Sequence, residues 1–130
     1  MDFDLNKGLS AKVEKTVTEN DTARRFGSGG VDVYATPMMI GLMENAALKA
    51  VDHLLPEGYV TVGTSLTVDH LAATPVGMKV YAYAVLTGIE GKKLIFSVEA
   101  FDEVDKIGQG IHERYIVNLE KFSKKVLSKL

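Results

Sequence analysis

The spacing of hydrophobic positions changes character twice along the chain. From Leu9 to Thr18 it alternates loosely, with Leu9, Ala11, Val13 and Val17 on one side and Ser10, Lys12, Glu14 and Thr16 between them. That period of two predicts a first strand. The stretch from Glu19 to Gly30 is polar and ends in Gly27-Ser28-Gly29-Gly30, which predicts a mobile loop. A helix is then expected to begin at Thr36-Pro37, with the threonine oxygen as N-cap and proline in the first turn, and to stop at Leu54-Leu55-Pro56-Glu57-Gly58. Met38, Met39, Ile40, Leu42, Met43, Ala46, Ala47, Leu48, Ala50 and Val51 surround its axis, the mark of a buried helix.

After Gly58 the pattern becomes rich in Val, Ile, Tyr and Thr over Tyr59 to Leu71, Met78 to Thr87, Lys93 to Phe101 and Ile107 to Leu119. The joints Ala73 to Gly77, Gly88 to Gly91 and Asp102 to Asp105 have turn composition. The tail from Glu120 to Leu130 sets apolar Phe122, Val126 and Leu130 beside four lysines, and reads as a short helix or strand end packed on the sheet. One strand, one long buried helix and four closely connected strands predict an α+β fold, an antiparallel sheet wrapped around the helix. Residues 1–130 are read as one domain without repeat or linker.

Composition narrows the functions. A formal charge of -2, from 15 Lys+Arg against 17 Asp+Glu, argues against nucleic acid, whose binding rests on phosphate neutralisation. Cysteine is absent and the histidines are only His53, His70 and His112, so no metal centre and no thiolate chemistry are expected. The polar N-terminus and the lack of an apolar run near the roughly 18 residues that span a bilayer predict a soluble, cytoplasmic chain with no membrane partner. A sheet with one helix leaves a face or edge uncovered, so self-association is expected.

Three residues carry candidate chemistry. Glu44 lies between Leu42, Met43, Ala46 and Ala47, where a carboxylate loses hydration and needs a partner, unless it faces solvent with Asn45. Thr36 has a sufficient structural role as the expected N-cap, yet it lies eight positions before Glu44, so the two could border one cavity. His70 ends a strand whose alternate residues Val62, Thr64, Leu66 and Val68 share its face, and a structural, satisfied histidine is the default for any single case. His53 and His112 are read as structural or peripheral. A hydroxyl, a carboxylate and an imidazole in one protein are common, and composition and spacing go no further.

The segments Thr-Pro-Met-Met-Ile-Gly-Leu-Met-Glu from Thr36 to Glu44, Val62 to Gly77 with its His70-Leu71-Ala72-Ala73-Thr74-Pro75, and Gly108 to Arg114 together resemble the hotdog-fold thioesterases, in the branch that includes fluoroacetyl-CoA thioesterase. The resemblance runs from about Val31 to the tail. It implies a hotdog fold, hydrolysis of an acyl-CoA, of short chain by preference, with no cofactor beyond the CoA of the substrate. It also implies Thr36, Glu44 and His70 as the catalytic set, at active sites on a dimer interface with CoA lying across it, and leaves dimer against tetramer open. Gly63 matches the family's glycine at the acyl site, which agrees with the close approach a strand glycine often marks. Arg114 is expected to contact CoA or pair with an acid, with a strand-surface ion pair as the equal alternative. The departure lies upstream, where the family has an aromatic-containing lid and this chain has Phe26 followed by Gly27-Ser28-Gly29-Gly30, so fluoroacetate specificity is not implied.

Two other functions fit the same fold. A hotdog enoyl-CoA hydratase would use an acid with a histidine, but Asp69 and His70 are adjacent on a strand and point to opposite faces. A non-catalytic acyl-CoA binding module would bind such esters without turnover.

Overall fold

The structure, a computed structural model, describes residues 3–130. Strand β1 (Ser10–Thr16) leads through a single turn of 3-10 helix (Glu19–Asp21) and a short helix α1 (Ala23–Phe26) to the long helix α2 (Thr36–Val51). A second 3-10 turn (Asp52–Leu54) precedes strands β2 (Tyr59–His70), β3 (Lys79–Glu90), β4 (Lys93–Asp102) and β5 (Lys106–Asn118), and α3 (Leu119–Leu127) follows. All strand pairs are antiparallel, in the order β1-β3-β4-β5-β2, so β1 and β2 are the edges.

Alternation decides which residues meet the helix. Val80, Ala82, Ala84 and Leu86 of β3 and Leu94, Phe96, Val98 and Ala100 of β4 are buried, while the residues between them are more exposed. Met39, Met43, Ala46, Ala47 and Ala50 of α2 pack on this surface. Small residues let the helix approach: a Cβ on Gly108 would lie 2.7 Å from the Met39 side chain. The all-round apolar helix is nonetheless buried on one side only, since Met38, Ile40, Leu42 and Leu48 remain half-buried in the single chain. Its other flank lies beside β2, whose residues Gly63 to Thr67 are exposed.

Several expectations change on folding. Thr36 is not the N-cap of α2; Ala35 is, and Thr36 and Pro37 occupy the first turn. The Glu19–Gly30 segment is tied down: Thr18 and Asp21 form a reciprocal capping box, Thr22 Oγ1 accepts the Arg25 N–H at 3.2 Å, and the Ala23 N–H donates to the Val33 carbonyl at 2.8 Å. Burial pushes the Asp21 carboxyl up, but the hydrogen bonds from Thr18 and Lys15 outweigh it and hold the group below its usual range. The expected joint at Gly88 to Gly91 is mostly strand, because a bulge between Leu86 and Gly88 restores the ladder and leaves Gly91, at φ 64°, to make the turn. The Asp102 turn is closed by its own side chain, whose Oδ1 accepts the Val104 and Asp105 N–H groups at 2.8 and 2.6 Å. The tail is helical, and none of α3 is buried. Among the described residues, no helix is long and apolar enough to cross a membrane.

Candidate active site

Helix α2 runs back along β2, so its two ends meet opposite ends of that strand. At the first end the Thr36 hydroxyl lies 2.6 Å from Nδ1 of His70. Freed from capping, Thr36 can turn its hydroxyl toward the sheet. Burial lowers the proton affinity of His70, partly opposed by the backbone carbonyl of Ala72. In the tautomer that carries its hydrogen on Nε2, the neutral imidazole accepts the Thr36 proton at Nδ1, and Nε2 is a buried atom outside hydrogen-bond geometry with any group among the described residues. A cavity of about 370 Å³ opens beside the pair, walled by Ala23, Ser28, Tyr34, Leu71 and Ala73. The glycine-rich segment upstream of Thr36 thus contributes to the cavity wall.

Glu44 is elsewhere. It is half-buried midway along α2 and faces Gly63 of β2. A Cβ added at Gly63 would lie 3.0 Å from Glu44 Oε2, 3.2 Å from His112 Cε1 and 3.5 Å from Arg114 Nη1. Gly63 has no unusual φ, so its side chain is excluded for space. The missing methyl leaves a polar slot between a carboxylate, an imidazole and a guanidinium.

Beneath the slot lies a network that the sequence reading did not assemble. His112 and Arg114 are two apart on β5 and share the helix-facing side with Ile116, at 0%, 5% and 1% exposure. His112 Nδ1 lies 2.9 Å from the Ser65 carbonyl and Nε2 lies 3.1 Å from Arg114 Nη1. A carbonyl and a guanidinium leave one tautomer: Nδ1–H donates and Nε2 accepts, so His112 is neutral. Burial lowers its proton affinity, with the Arg114 charge adding to the effect and the Ser65 carbonyl opposing it. Arg114 also donates from Nε to Thr61 Oγ1 at 2.8 Å and from Nη2 to the Thr61 carbonyl at 2.9 Å. Thr61 in turn donates its hydroxyl to Asp52 Oδ1 at 2.5 Å and its N–H to Oδ2 at 3.2 Å. Burial lowers the Arg114 pKa, while Asp52 and then Glu44 oppose that shift.

Of the two readings of His112, structural or peripheral, its burial at the slot fits the structural one, and Arg114, itself buried, does not form a surface ion pair. The period-two alternation of β5, extended from Ile116, was the signal that placed both inside. His53 is exposed, and Asp69 lines a different hollow, with Thr67 and Gln109, from the one His70 opens on. Among the described residues, no three His, Asp or Glu side chains are grouped to hold a metal ion.

Thr36 and His70 therefore meet within the single chain, whereas Glu44 meets Gly63. The helix rise separates the Cα atoms of Thr36 and Glu44 by about 12 Å, and the strand rise separates His70 from Gly63 by about 23 Å.

The family described as fluoroacetyl-CoA-specific thioesterase matches residues 17–120. The chain belongs to this family. A fluoroacetyl-CoA thioesterase of Streptantibioticus cattleyicolor is 46% identical over 98 residues, which cover 75% of this chain and 70% of that protein. The solved fluoroacetyl-CoA thioesterase FlK superposes with a TM-score of 0.91 at 37% identity, over 97% of this chain and 98% of FlK. A Thermus thermophilus thioesterase superfamily member superposes with a TM-score of 0.88 at 34% identity, over 95% of this chain and 91% of that one. The fluoroacetyl-CoA thioesterase and the wider hotdog thioesterases thus share the five-stranded sheet and long helix seen here. Variants of FlK have been solved with acetyl-CoA and with fluoroacetate.

Proposed function

We propose that this chain hydrolyses a short-chain acyl-CoA at a site shared by two copies, with Thr36 and His70 of one protomer facing Glu44 and Gly63 of the other. Acyl-CoA thioester hydrolysis is the activity of the family to which the chain belongs. The single observation that carries the reading is the Thr36–His70 pair: a hydroxyl hydrogen-bonded to a neutral imidazole at the edge of a cavity, with the other ring nitrogen unpartnered.

His70 takes the Thr36 proton as the Thr36 oxygen attacks the thioester carbonyl. The tetrahedral intermediate collapses with cleavage of the C–S bond, and the departing sulfur takes the proton from His70, so that CoA leaves as the thiol and the imidazole is neutral again. Water then attacks the acyl-threonine ester, giving its proton to His70, and the free acid departs as Thr36 recovers its hydrogen. The N-terminal end of α2 carries partial positive charge beside Thr36, where negative charge develops. Glu44, in the polar slot, orients the acyl group and the attacking water.

The edge of β2 supports a shared site. It is a twelve-residue edge strand, exposed from Gly63 to Thr67, beside the half-buried flank of α2. An antiparallel pairing of two such edges, with its two-fold near Leu66 and Thr67, sets His70 of one copy alongside Gly63 of the other.

The test is thiol release from a panel of acetyl, branched, aromatic and medium-chain CoA esters, with Glu44→Gln as matched control. Release that the substitution abolishes is expected for at least one ester. Binding of every ester with release of none would point to a non-catalytic module.

A further inference from the structure

We propose that Asp52 and Thr61 are positioning residues for the reaction: acting through Arg114, they hold its guanidinium at the Gly63 slot opposite Glu44. This rests on the reading of Glu44 as part of the active site.

A guanidinium at 5% exposure is costly unless its donors are satisfied, and here each nitrogen has a protein partner. Two of the three bonds go to Thr61 alone. A hydroxyl has one hydrogen, so whether Thr61 Oγ1 can accept from Arg114 Nε depends on where that hydrogen points. Asp52 settles this, because its carboxylate takes the Thr61 hydrogen at 2.5 Å and leaves the oxygen's lone pairs to Arg114. The backbone N–H of Thr61 donates to the other carboxylate oxygen, so the acceptor itself is fixed.

Asp52 also breaks a local rule. It is the C-cap residue of α2, where the helix dipole disfavours a negative charge. The carboxylate is tolerated there because the Arg114 charge opposes it across Thr61. An acid at this helix end, bonded through Thr61 to a guanidinium at the slot, is the kind of local exception expected beside a functional site. The outcome is geometric: Nη1, braced by His112 Nε2, stands 3.5 Å from the place a Gly63 side chain would fill, with Glu44 Oε2 3.0 Å from the same point.

The experiment compares Asp52→Ala, Thr61→Val and Thr61→Ser in the full chain by kcat and KM for thiol release, thermal melting, and the Arg114 Nε–H signal in an arginine-detected nitrogen-proton spectrum. Asp52→Ala and Thr61→Val are expected to lower kcat roughly tenfold, the scale set by small misplacement of a reacting group. KM should move much less, and Thr61→Ser should return kcat to within about twofold of the parent. The Arg114 Nε–H signal should be slow to exchange in the parent and exposed by Asp52→Ala. A lowered melting temperature with kcat unchanged in both variants makes the network a brace only and overturns the proposal, as does a Thr61→Ser variant as impaired as Thr61→Val. If Thr61→Val does not fold, Asp52→Ala decides alone. A parent that releases thiol from no ester defeats the activity reading instead, and an Arg114 signal unmoved by Asp52→Ala then defeats this one separately.

Discussion

The Thr36 hydroxyl lies 2.6 Å from Nδ1 of His70, and nothing about the helix start holds it there, because Ala35 serves as the N-cap. Thr36→Ala should therefore leave stability within about 0.5 kcal/mol of the parent, less than the loss of a true cap. Turnover should fall by about 100-fold or more, because the attacking oxygen itself is removed. Parallel melts and steady-state rates check both halves.

Glu44→Gln and His70→Ala should each reduce turnover severely while leaving the protein folded. Because Thr36–His70 and Glu44–Gly63 lie at different places along β2, the two inactive chains should complement when unfolded together and refolded. One of the two sites in a mixed dimer would then be intact. A refolded mixture as inactive as either parent variant would place the whole site within one protomer.

Gly63→Ala tests the slot. The added methyl would sit 3.0 Å from Glu44 Oε2 and 3.2 Å from His112 Cε1, tighter than ordinary contact. A loss of about 1–3 kcal/mol is expected from overpacking, with turnover reduced roughly tenfold or more as Glu44 is pushed aside. Urea unfolding and rate measurements separate the two effects.

Gly110→Ala should be worse for folding and silent about chemistry. Its Cβ would lie 2.1 Å from the Thr67 carbonyl oxygen, a backbone atom that cannot step aside without breaking the β2–β5 ladder. A loss above about 4 kcal/mol, or failure to accumulate as soluble protein, is the expected outcome.

His112 gives the stability a pH dependence of known sign. Its folded pKa lies below the ordinary value of 6.5, chiefly through burial, so between the two values the unfolded chain binds more protons. Stability from this group is complete above pH 6.5 and is lost as pH falls toward the folded pKa. His70, lowered in the same direction, adds to that loss. The Asp21 and Asp102 carboxyls are held below their ordinary value of 3.8, so their contribution is present above it and is lost as pH falls further. Melting temperature against pH should show the histidine step shrink in a His112→Gln variant and the carboxylate step remain.

Much of this architecture was written locally. The period-two runs of Val80 to Leu86 and Leu94 to Ala100, the apolar helix after Pro37 and the turn residues between strands are nearest-neighbour signals, and they led to the α+β sheet and helix. The resemblance singled out Thr36, Glu44, His70 and Gly63 as residues of one chemistry. Local signals erred where two local partners compete: a threonine before proline reads as a cap until a distant imidazole claims its hydroxyl, and a polar glycine-rich stretch reads as mobile until its amides find Val31 and Val33.

Which residues meet was decided only in three dimensions. Thr36 reaches His70 across 34 positions, and Arg114 reaches Thr61 across 53, because α2 and β5 are both laid along β2. Hydrogen-bond partners so far apart leave no period in the chain, since their contact depends on strand register and helix direction and not on sequence spacing. The sequence supplied a hydroxyl, a carboxylate and an imidazole, and the resemblance alone joined them into an expectation of acyl transfer. Their division into a Thr36–His70 pair and a Glu44 slot braced by Asp52, Thr61, His112 and Arg114 came from the packing of one helix on one twisted sheet.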